Sequence, residues 1–350
     1  MCIRDRLYFC LVDYASAIQW LYAQLPMYQR VGKAALNPNL DGITKLIRHF
    51  GYPDQKFKSI HIAGTNGKGS SAHMLASILQ EAGYKVGLYT SPHLKDFSER
   101  IRINGVSIDQ DYVLDFVISN RIYLEQEAFS FFEMTVGLAF DYFANKQIDV
   151  AVIEVGLGGR LDATNIIKPE ACLITNIAID HQQFLGTTKS AIAKEKGGII
   201  KPNTPVVLGA DDKEIFTVFE AIAKPLDAPL SVAEEHTYVT DLLGDYQQQN
   251  INGVVSLLKK LSSFTVSDDH INSGLQQVCK NTGIRGRWEI LGIKPTVIAD
   301  VAHNKSGLKV VLNQLTSLEY NNLHIIFGMA NDKDVENLIC LLYTSPSPRD

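Results

Sequence analysis

Short, nearly unbroken apolar runs alternate along this chain with stretches whose apolar residues recur at helical spacing. From Asp13 to Leu25 the positions Ala17, Ile18, Leu21 and Leu25 predict a helix that Pro26 ends. A polar loop, Tyr28 to Lys33, leads to a second predicted helix over Leu40 to Phe50, closed by Gly51. The first strand is predicted at Ile60 to Ala63. Beyond a glycine-rich turn, Met74, Leu75, Ile78, Leu79 and Ala82 share one helix face, which Gly83 terminates. Further strands are predicted at Lys85 to Thr90, Val150 to Val155, Cys172 to Ala178 and Pro205 to Leu208. Their lack of polar alternation marks strands covered on both faces, so the fold class is α/β, a doubly wound sheet. A Gly/Arg-rich turn at Gly283 to Leu291 precedes a fresh βαβ series: strand Thr296 to Val301, helix Gly307 to Leu315, strand Leu323 to Phe327. That pattern predicts the start of a second Rossmann-like α/β domain, with too few strands to close a layer.

Length and composition narrow the picture only modestly. A chain of 350 residues accommodates about two domains. A formal charge of −5 and the absence of a basic block argue against nucleic acid as a partner. Cys2, Cys10, Cys172, Cys279 and Cys340 are scattered and odd in number, which fits a reducing cytoplasm without disulfides or a zinc site. The apolar run Leu7 to Val12 is shorter than a signal core, and no run approaches the ~18 residues of a membrane span. A cytoplasmic protein without a membrane partner is therefore expected. Both ends, MCIRDR and CLLYTSPSPRD, resemble translated sequencing-adapter read-through. Residues 1–6 and 340–350 are accordingly expected to be foreign, with the parent gene continuing past residue 339.

The chemistry begins in the stretch Ile60 to Ser71, IHIAGTNGKGSS. Strand, glycine turn and helix in that order let several backbone N–H groups converge on phosphate oxygens at a helix N-terminus. Lys68 is placed for the β- and γ-phosphates, and the hydroxyl of Ser70 or Ser71 for Mg²⁺. Position 62 is Ile and Gly69 separates Lys68 from Ser70, so the loop is a variant of G-x-x-x-x-G-K-[ST]. Glu154 leaves the end of a predicted strand beside Gly156, either as a magnesium ligand or as a solvated edge residue. Asp180 and His181 end another strand in the same way. Ser91, before Pro92, is either a hydroxyl ligand or a turn former. Lys194 and Lys196, near a helix end, are expected to be surface residues.

The strings G-T-N-G-K-G-S, S-P-H-L, E-V-G-L-G-G-R-L-D-A-T-N, D-H, K-E-K-G-G, G-R-W and D-V-A-H-N occur in this order. Together they resemble the folylpolyglutamate synthase/dihydrofolate synthase family of the Mur ligase superfamily, over about residues 14–338. The resemblance implies a Mur-type P-loop domain over 7–288 and an incomplete C-terminal ligase domain over 289–339. It also implies an ATP-dependent ligase that joins L-glutamate to a pterin carboxylate, dihydropteroate or tetrahydrofolate, through an acyl phosphate. ATP would lie on Gly64, Thr65, Asn66, Gly67, Lys68, Gly69 and Ser70, with Asn250, Arg287 and Asp300 as further contacts. Ser91, Glu154 and His181 would hold Mg²⁺. Lys196 corresponds to the family's carbamylated lysine, and with Lys68 and His181 it completes the catalytic set; K⁺ is a further candidate ion. Phe131, Phe132 and Glu133, with Leu161, Asp162 and Ala163, fall where the pterin would lie, although the two phenylalanines fit a core equally well. Small-molecule partners and a monomer are expected. Trp288 and Glu289 depart from the family pattern after the hinge arginine. The other readings are a different Mur-type amino-acid ligase, a P-loop kinase or switch NTPase, and an inactive ATP-binding fragment.

Overall fold

The run IHIA lies at the centre of an eight-stranded sheet in the computed structural model, which describes residues 13–24, 39–329 and 340–342. In chain order the strands are β1 (Lys58–Ala63), β2 (Val86–Tyr89), β3 (Ile101–Ile103), β4 (Val106–Ser107), β5 (Val150–Glu154), β6 (Ala171–Ile174), β7 (Val206–Leu208) and β8 (Leu230–Val232). Their order across the sheet is β4-β3-β2-β5-β1-β6-β7-β8. All pairs from β2 to β8 are parallel, and β3 and β4 add an antiparallel edge. The predicted doubly wound α/β sheet is thus the observed one.

Period-two alternation explains how the sheet is covered. On β5, Val150 and Val152 pack with the helices Lys68–Glu81 and Gln247–Leu258, while Ala151 and Ile153 face the helix Phe131–Asn145. The helix Lys68–Glu81 is buried from Gly69 to Leu79 on every side, so its sequence shows no sharp polar stripe. On the opposite face Tyr14–Ala23, Asp41–His49 and Gln110–Glu127 complete a second layer. Beside β6 and β7, the helices Lys189–Gly197 and Lys213–Ala223 enclose a third cluster around Phe219.

Three expectations are corrected. The strand predicted over Cys172 to Ala178 stops at Ile174. Beyond it the backbone of Thr175 and Asn176 still bonds Ala63 O and Thr65 N, while their side chains bond the backbone of the glycine turn. The predicted strand from Thr296 and helix from Gly307 are observed as β10 (Thr296–Ala299) and the helix Lys305–Thr316, but the turn predicted over Gly283 to Leu291 runs into a further strand, β9 (Glu289–Ile293), which pairs antiparallel with β10 across Lys294 and Pro295. Leu323 to Phe327 carry no strand; among the described residues no neighbouring strand offers them a ladder. Expectations for Leu25, Pro26, Tyr28 to Lys33, residues 1–6 and residues 343–350 lie outside the described residues.

Candidate active site

Four parallel strands end on one side of the sheet, and the turns that follow them build the site. β1 runs into Gly64, β2 into Thr90 and Ser91, β5 ends at Glu154, and β6 runs into Thr175 and Asn176. Register sets the spacing: Ile62 lies opposite Glu154 and Ala63 opposite Ile174. This is the carboxyl edge where open α/β sheets take ligands.

The glycine turn is braced from β6. Asn66 N donates to Asn176 Oδ1 at 3.0 Å, and Asn66 O accepts from Thr175 Oγ1 at 2.6 Å and Asn176 Nδ2 at 3.1 Å. Two glycines are obligatory there. Gly64 has φ +145°, and a Cβ on it would stand 1.9 Å from Thr175 Oγ1; Gly67 has φ +81° and would meet Asn250 Oδ1 at 2.2 Å. Asn250 donates to Gln247 Oε1, and Gln247 Nε2 reaches Ser70 Oγ, so a helix across the site sets the far wall of the loop.

Two lysines converge on the carbonyl of Gly64. Lys68 Nζ donates to it at 3.2 Å and to Thr65 O at 3.2 Å, and Lys196 Nζ donates to it at 2.7 Å. Lys196 is 5% exposed, which corrects the surface reading. Burial, and then repulsion from Lys68, pulls its amine from an ordinary 10.5 down to about 7. The string from Gly156 to Asn165 accounts for that burial. Arg160 N donates to Glu195 O, Arg160 Nη2 pairs with Glu195 at 2.9 Å, and Asn165 Nδ2 bonds Arg160 O and Gly198 O. A side chain on Gly159 would strike Lys196 O at 2.8 Å, so this glycine lets the lysine-bearing helix dock.

Glu154 is 4% exposed and receives Ser91 N–H at 3.2 Å. Burial raises its pKa, against the opposing charges of Lys68 and Arg287. A Cβ on Gly69 would lie 3.0 Å from Arg287 Nη2 and 3.8 Å from Glu154, so arginine and carboxylate close around the loop. His181 stands instead with Asp180 and His303. Asp300 braces the hinge: Oδ2 accepts from Tyr246 OH at 2.7 Å and Trp288 N at 2.8 Å, and Oδ1 from Ala302 N at 2.8 Å.

A cavity of about 760 Å³ joins the loop to the remaining predicted residues, including Phe132, Leu161 and Ala163. Phe131 is core: it stacks on Tyr22 at 5.1 Å with the Arg100 guanidinium over its ring at 5.4 Å. Phe132 is partly buried against the Gly156 turn. Glu133 forms a capping box with Ser130, and Asp162 accepts Leu157 N and Thr164 N, so both carboxylates shape backbone. Sequence reasoning missed Arg100, Tyr246 and Asn304. Only Asn304 left a signal, as the last letter of D-V-A-H-N. It pairs with Asn66 across the site, Nδ2 to Oδ1 at 2.8 Å.

A braced phosphate loop on a doubly wound sheet, facing a carboxylate and a C-terminal segment, defines a Mur-type ATP-dependent ligase. The Mur ligase middle domain matches residues 62–254, and the Mur ligase glutamate ligase domain matches residues 286–342. The dihydrofolate synthase/folylpolyglutamate synthase of Bacillus subtilis is 32% identical over 95% of this chain and 83% of its own. The protein named "Probable bifunctional folylpolyglutamate synthase/dihydropteroate synthase" of Haloferax volcanii is 34% identical over 92% of this chain, which spans 41% of that longer protein. Among solved structures, an FPGS–AMPPCP–folate complex superposes with a TM-score of 0.86 at 30% identity, covering 96% of this chain and 88% of the other. A bifunctional folylpolyglutamate synthase/dihydrofolate synthase with Mn, AMPPNP and L-glutamate bound gives 0.81 at 27% identity, covering 95% and 82%. The chain belongs to the folylpolyglutamate synthase/dihydrofolate synthase family. Among the described residues no helix is long and apolar enough to cross a membrane.

Proposed function

We propose that this chain joins L-glutamate to the carboxylate of a pterin substrate, dihydropteroate or a tetrahydrofolate, at the expense of ATP. The observation that carries the reading is the meeting of Lys68, Lys196 and Glu154 at the Gly64 turn, in a cavity that continues to Phe132 and Leu161. ATP lies with its phosphates on the loop N–H groups and Lys68, and Arg287 closes over Gly69. The substrate carboxylate attacks the γ-phosphorus; the bond to the β,γ-bridging oxygen breaks, and ADP leaves. The glutamate amine then attacks the acyl carbon, inorganic phosphate departs, and the amine gives up a proton. Lys68 and Arg287 offset the repulsion between triphosphate and carboxylate. Ser91 and Glu154 supply hard oxygen donors suited to Mg²⁺, and the buried Glu154 carboxylate is a charge that such an ion would stabilise. When bound, the ion offsets phosphate charge; His181 lines the same cavity.

Lys196 is the proposed carbamylation site. An amine whose pKa lies near 7 is partly neutral at neutral pH, and that neutral form adds CO₂ with loss of one proton, leaving an anion beside Gly64. Residues 7–288 form the ATP-binding domain in this reading, and 289–339 belong to the glutamate ligase domain. K⁺, a monomeric state, a cytoplasmic setting and the absence of nucleic-acid and membrane partners complete the proposal. The test is ADP release with dihydropteroate or a folylmonoglutamate, with and without glutamate. Glutamate-dependent ADP release with an amide product is expected. Release driven by pterin alone, without amide, replaces the ligase reading with a kinase one.

A further inference from the structure

We propose, on the ligase reading above, that Arg102 binds a carboxylate of the incoming L-glutamate, in a subsite between β3 and the turn Gly283 to Arg287. Lys68, Arg100, Arg102, Lys196, Arg285 and Arg287 line the cavity. All but one of them are engaged. Lys68 and Lys196 donate to Gly64 O, Arg100 Nε donates to His93 Nδ1, Arg285 pairs with Glu289, and Arg287 Nη1 donates to Gly286 O. Among the described residues Arg102 alone of this set has neither a side-chain hydrogen bond nor an ion pair, although it is only 9% exposed. Glu99, the carboxylate whose charge reaches it, already accepts Leu94 N at 2.9 Å and Lys95 N and Asp96 N at 3.0 Å. A buried guanidinium without a counter-charge is costly, and an anion entering the cavity offsets that cost.

Alternation along β3 decides where that anion stands. Ile101 and Ile103 pack into the layer of the helix Phe131–Asn145, so Arg102 points to the other face of the sheet, toward the helix Lys68–Glu81. The turn between β3 and β4 abuts the approach to the hinge, since a Cβ on Gly105 would stand 2.2 Å from Asn281 O. His73 lies between the two. Thr282 Oγ1 donates to Val278 O, so it accepts from His73 Nδ1 at 2.7 Å. Burial, then the charges of Arg102 and Arg287, hold the His73 pKa well below 6.5. The imidazole therefore stays neutral and the corner keeps its positive charge.

The proposed reaction leaves this corner to the nucleophile. The phosphates occupy the loop after Gly64, and the acceptor carboxylate arrives from the Phe132 side, on the opposite face of the sheet. The amine must then approach along the wall between β3 and the hinge. L-Glutamate attacks with its amine neutral, which leaves it carrying two negative carboxylates. The planar fork of one guanidinium matches one of them with two parallel hydrogen bonds.

ADP release by Arg102→Met, measured against L-glutamate concentration with dihydropteroate as acceptor, tests the subsite. The KM for glutamate is expected to rise at least about tenfold, the loss of one charge-assisted pair, with the KM values for ATP and dihydropteroate within about twofold of the parent chain. Arg102→Lys keeps the charge without the fork; it is expected to recover part of the loss, and it serves if the first variant misfolds by circular dichroism. An unchanged glutamate KM in a folded variant, or equal losses for all three substrates, overturns the proposal. Dihydropteroate has no glutamyl group, so a loss seen only with a folylmonoglutamate acceptor also overturns it and assigns Arg102 to the acceptor's own α-carboxylate. A parent chain that releases no ADP with glutamate breaks the ligase reading instead. Calorimetric titration of L-glutamate into the chain loaded with a non-hydrolysable ATP analogue and dihydropteroate then decides for Arg102. Binding weakened about tenfold by Arg102→Met supports the subsite, and no binding, or equal binding by both chains, overturns it.

Discussion

The loop edge of the sheet and the segment that begins at Glu289 differ in what holds them. At the loop edge every turn is cross-bonded to its neighbour: Thr175 and Asn176 to Asn66, Ser91 to Glu154, Lys196 to Gly64. Glu154 and Lys196 are buried there despite their charge. In the later segment Leu291, Ile293 and Val297 face solvent on a two-stranded hairpin, which is marginal by itself. That segment is held by polar bonds at its margin, such as Tyr246 to Asp300, Gln314 Nε2 to Leu243 O, and Asn304 to Asn66. The difference teaches that the site is assembled by two unequal partners. One is a rigid cradle that prepays the cost of burying charge. The other is a light cover able to rearrange as substrates enter and water is excluded.

The strongest attack on the rigid half is Gly64→Ala. At φ +145° with Thr175 Oγ1 at 1.9 Å, a methyl group dislodges the brace between β1 and β6. Strain of about 3 kcal/mol removes roughly a hundredfold or more of ATP affinity. Calorimetric titration with a non-hydrolysable ATP analogue measures it. Affinity within a few-fold of the parent chain disproves the rigid cradle. Next comes Lys68→Ala, which leaves the brace intact and removes one charge-assisted phosphate contact. A loss of about 1.5–3 kcal/mol, ten- to hundredfold in ATP affinity, is expected with little change in melting temperature. If the two substitutions have equal effects, geometry and charge are not separable at this loop.

Much of the rigid half was legible in the chain. Nearly unbroken apolar runs marked β1, β2, β5 and β7, because strands covered on both faces have no polar alternation to hide them. The glycine turn and the strand-end Glu154 were legible for the same reason: their residue types are fixed by backbone geometry and charge. The burial of Lys196, which the family resemblance had named, was not, since a lysine in a helix looks solvated until the Gly156 to Asn165 string folds over it. In the later segment the strand from Thr296 and the helix after it were legible, but β9 was hidden behind the Gly/Arg-rich turn that precedes it, and Leu323 to Phe327 found no strand to pair with among the described residues. Pairing between Asn66 and Asn304, 238 positions apart, leaves no local trace at all.

Lys196 sharpens the comparison through pH. Its amine titrates at about 7 when folded and near 10.5 when free, so between those values the unfolded chain holds a proton that the folded chain has released. Stability therefore rises with pH across this window, by up to about 1.4 kcal/mol per unit from this group, and levels off above it. Below pH 7 both states are protonated and the burial penalty is constant. Urea denaturation between pH 7 and 10 in CO₂-depleted buffer should show the slope, and Lys196→Met should flatten it. An unchanged slope in the variant would falsify the low amine pKa.

The smallest effect belongs to the light half. Ile293 is 78% exposed on β9, so Ile293→Ser removes little buried area. A change within about 0.5 kcal/mol in unfolding free energy is expected, because surface substitutions away from caps and cores rarely exceed that. The same exchange at Ile153, fully buried in the second layer beside Phe140, would be far more damaging, since it leaves both a cavity and an unpaired hydroxyl. Denaturation of Ile293→Ser thus reads how much the apolar hairpin face contributes to the fold. A loss above about 2 kcal/mol would mean that this face is covered in solution, and the contrast between cradle and cover would have to be redrawn with the hairpin on the rigid side.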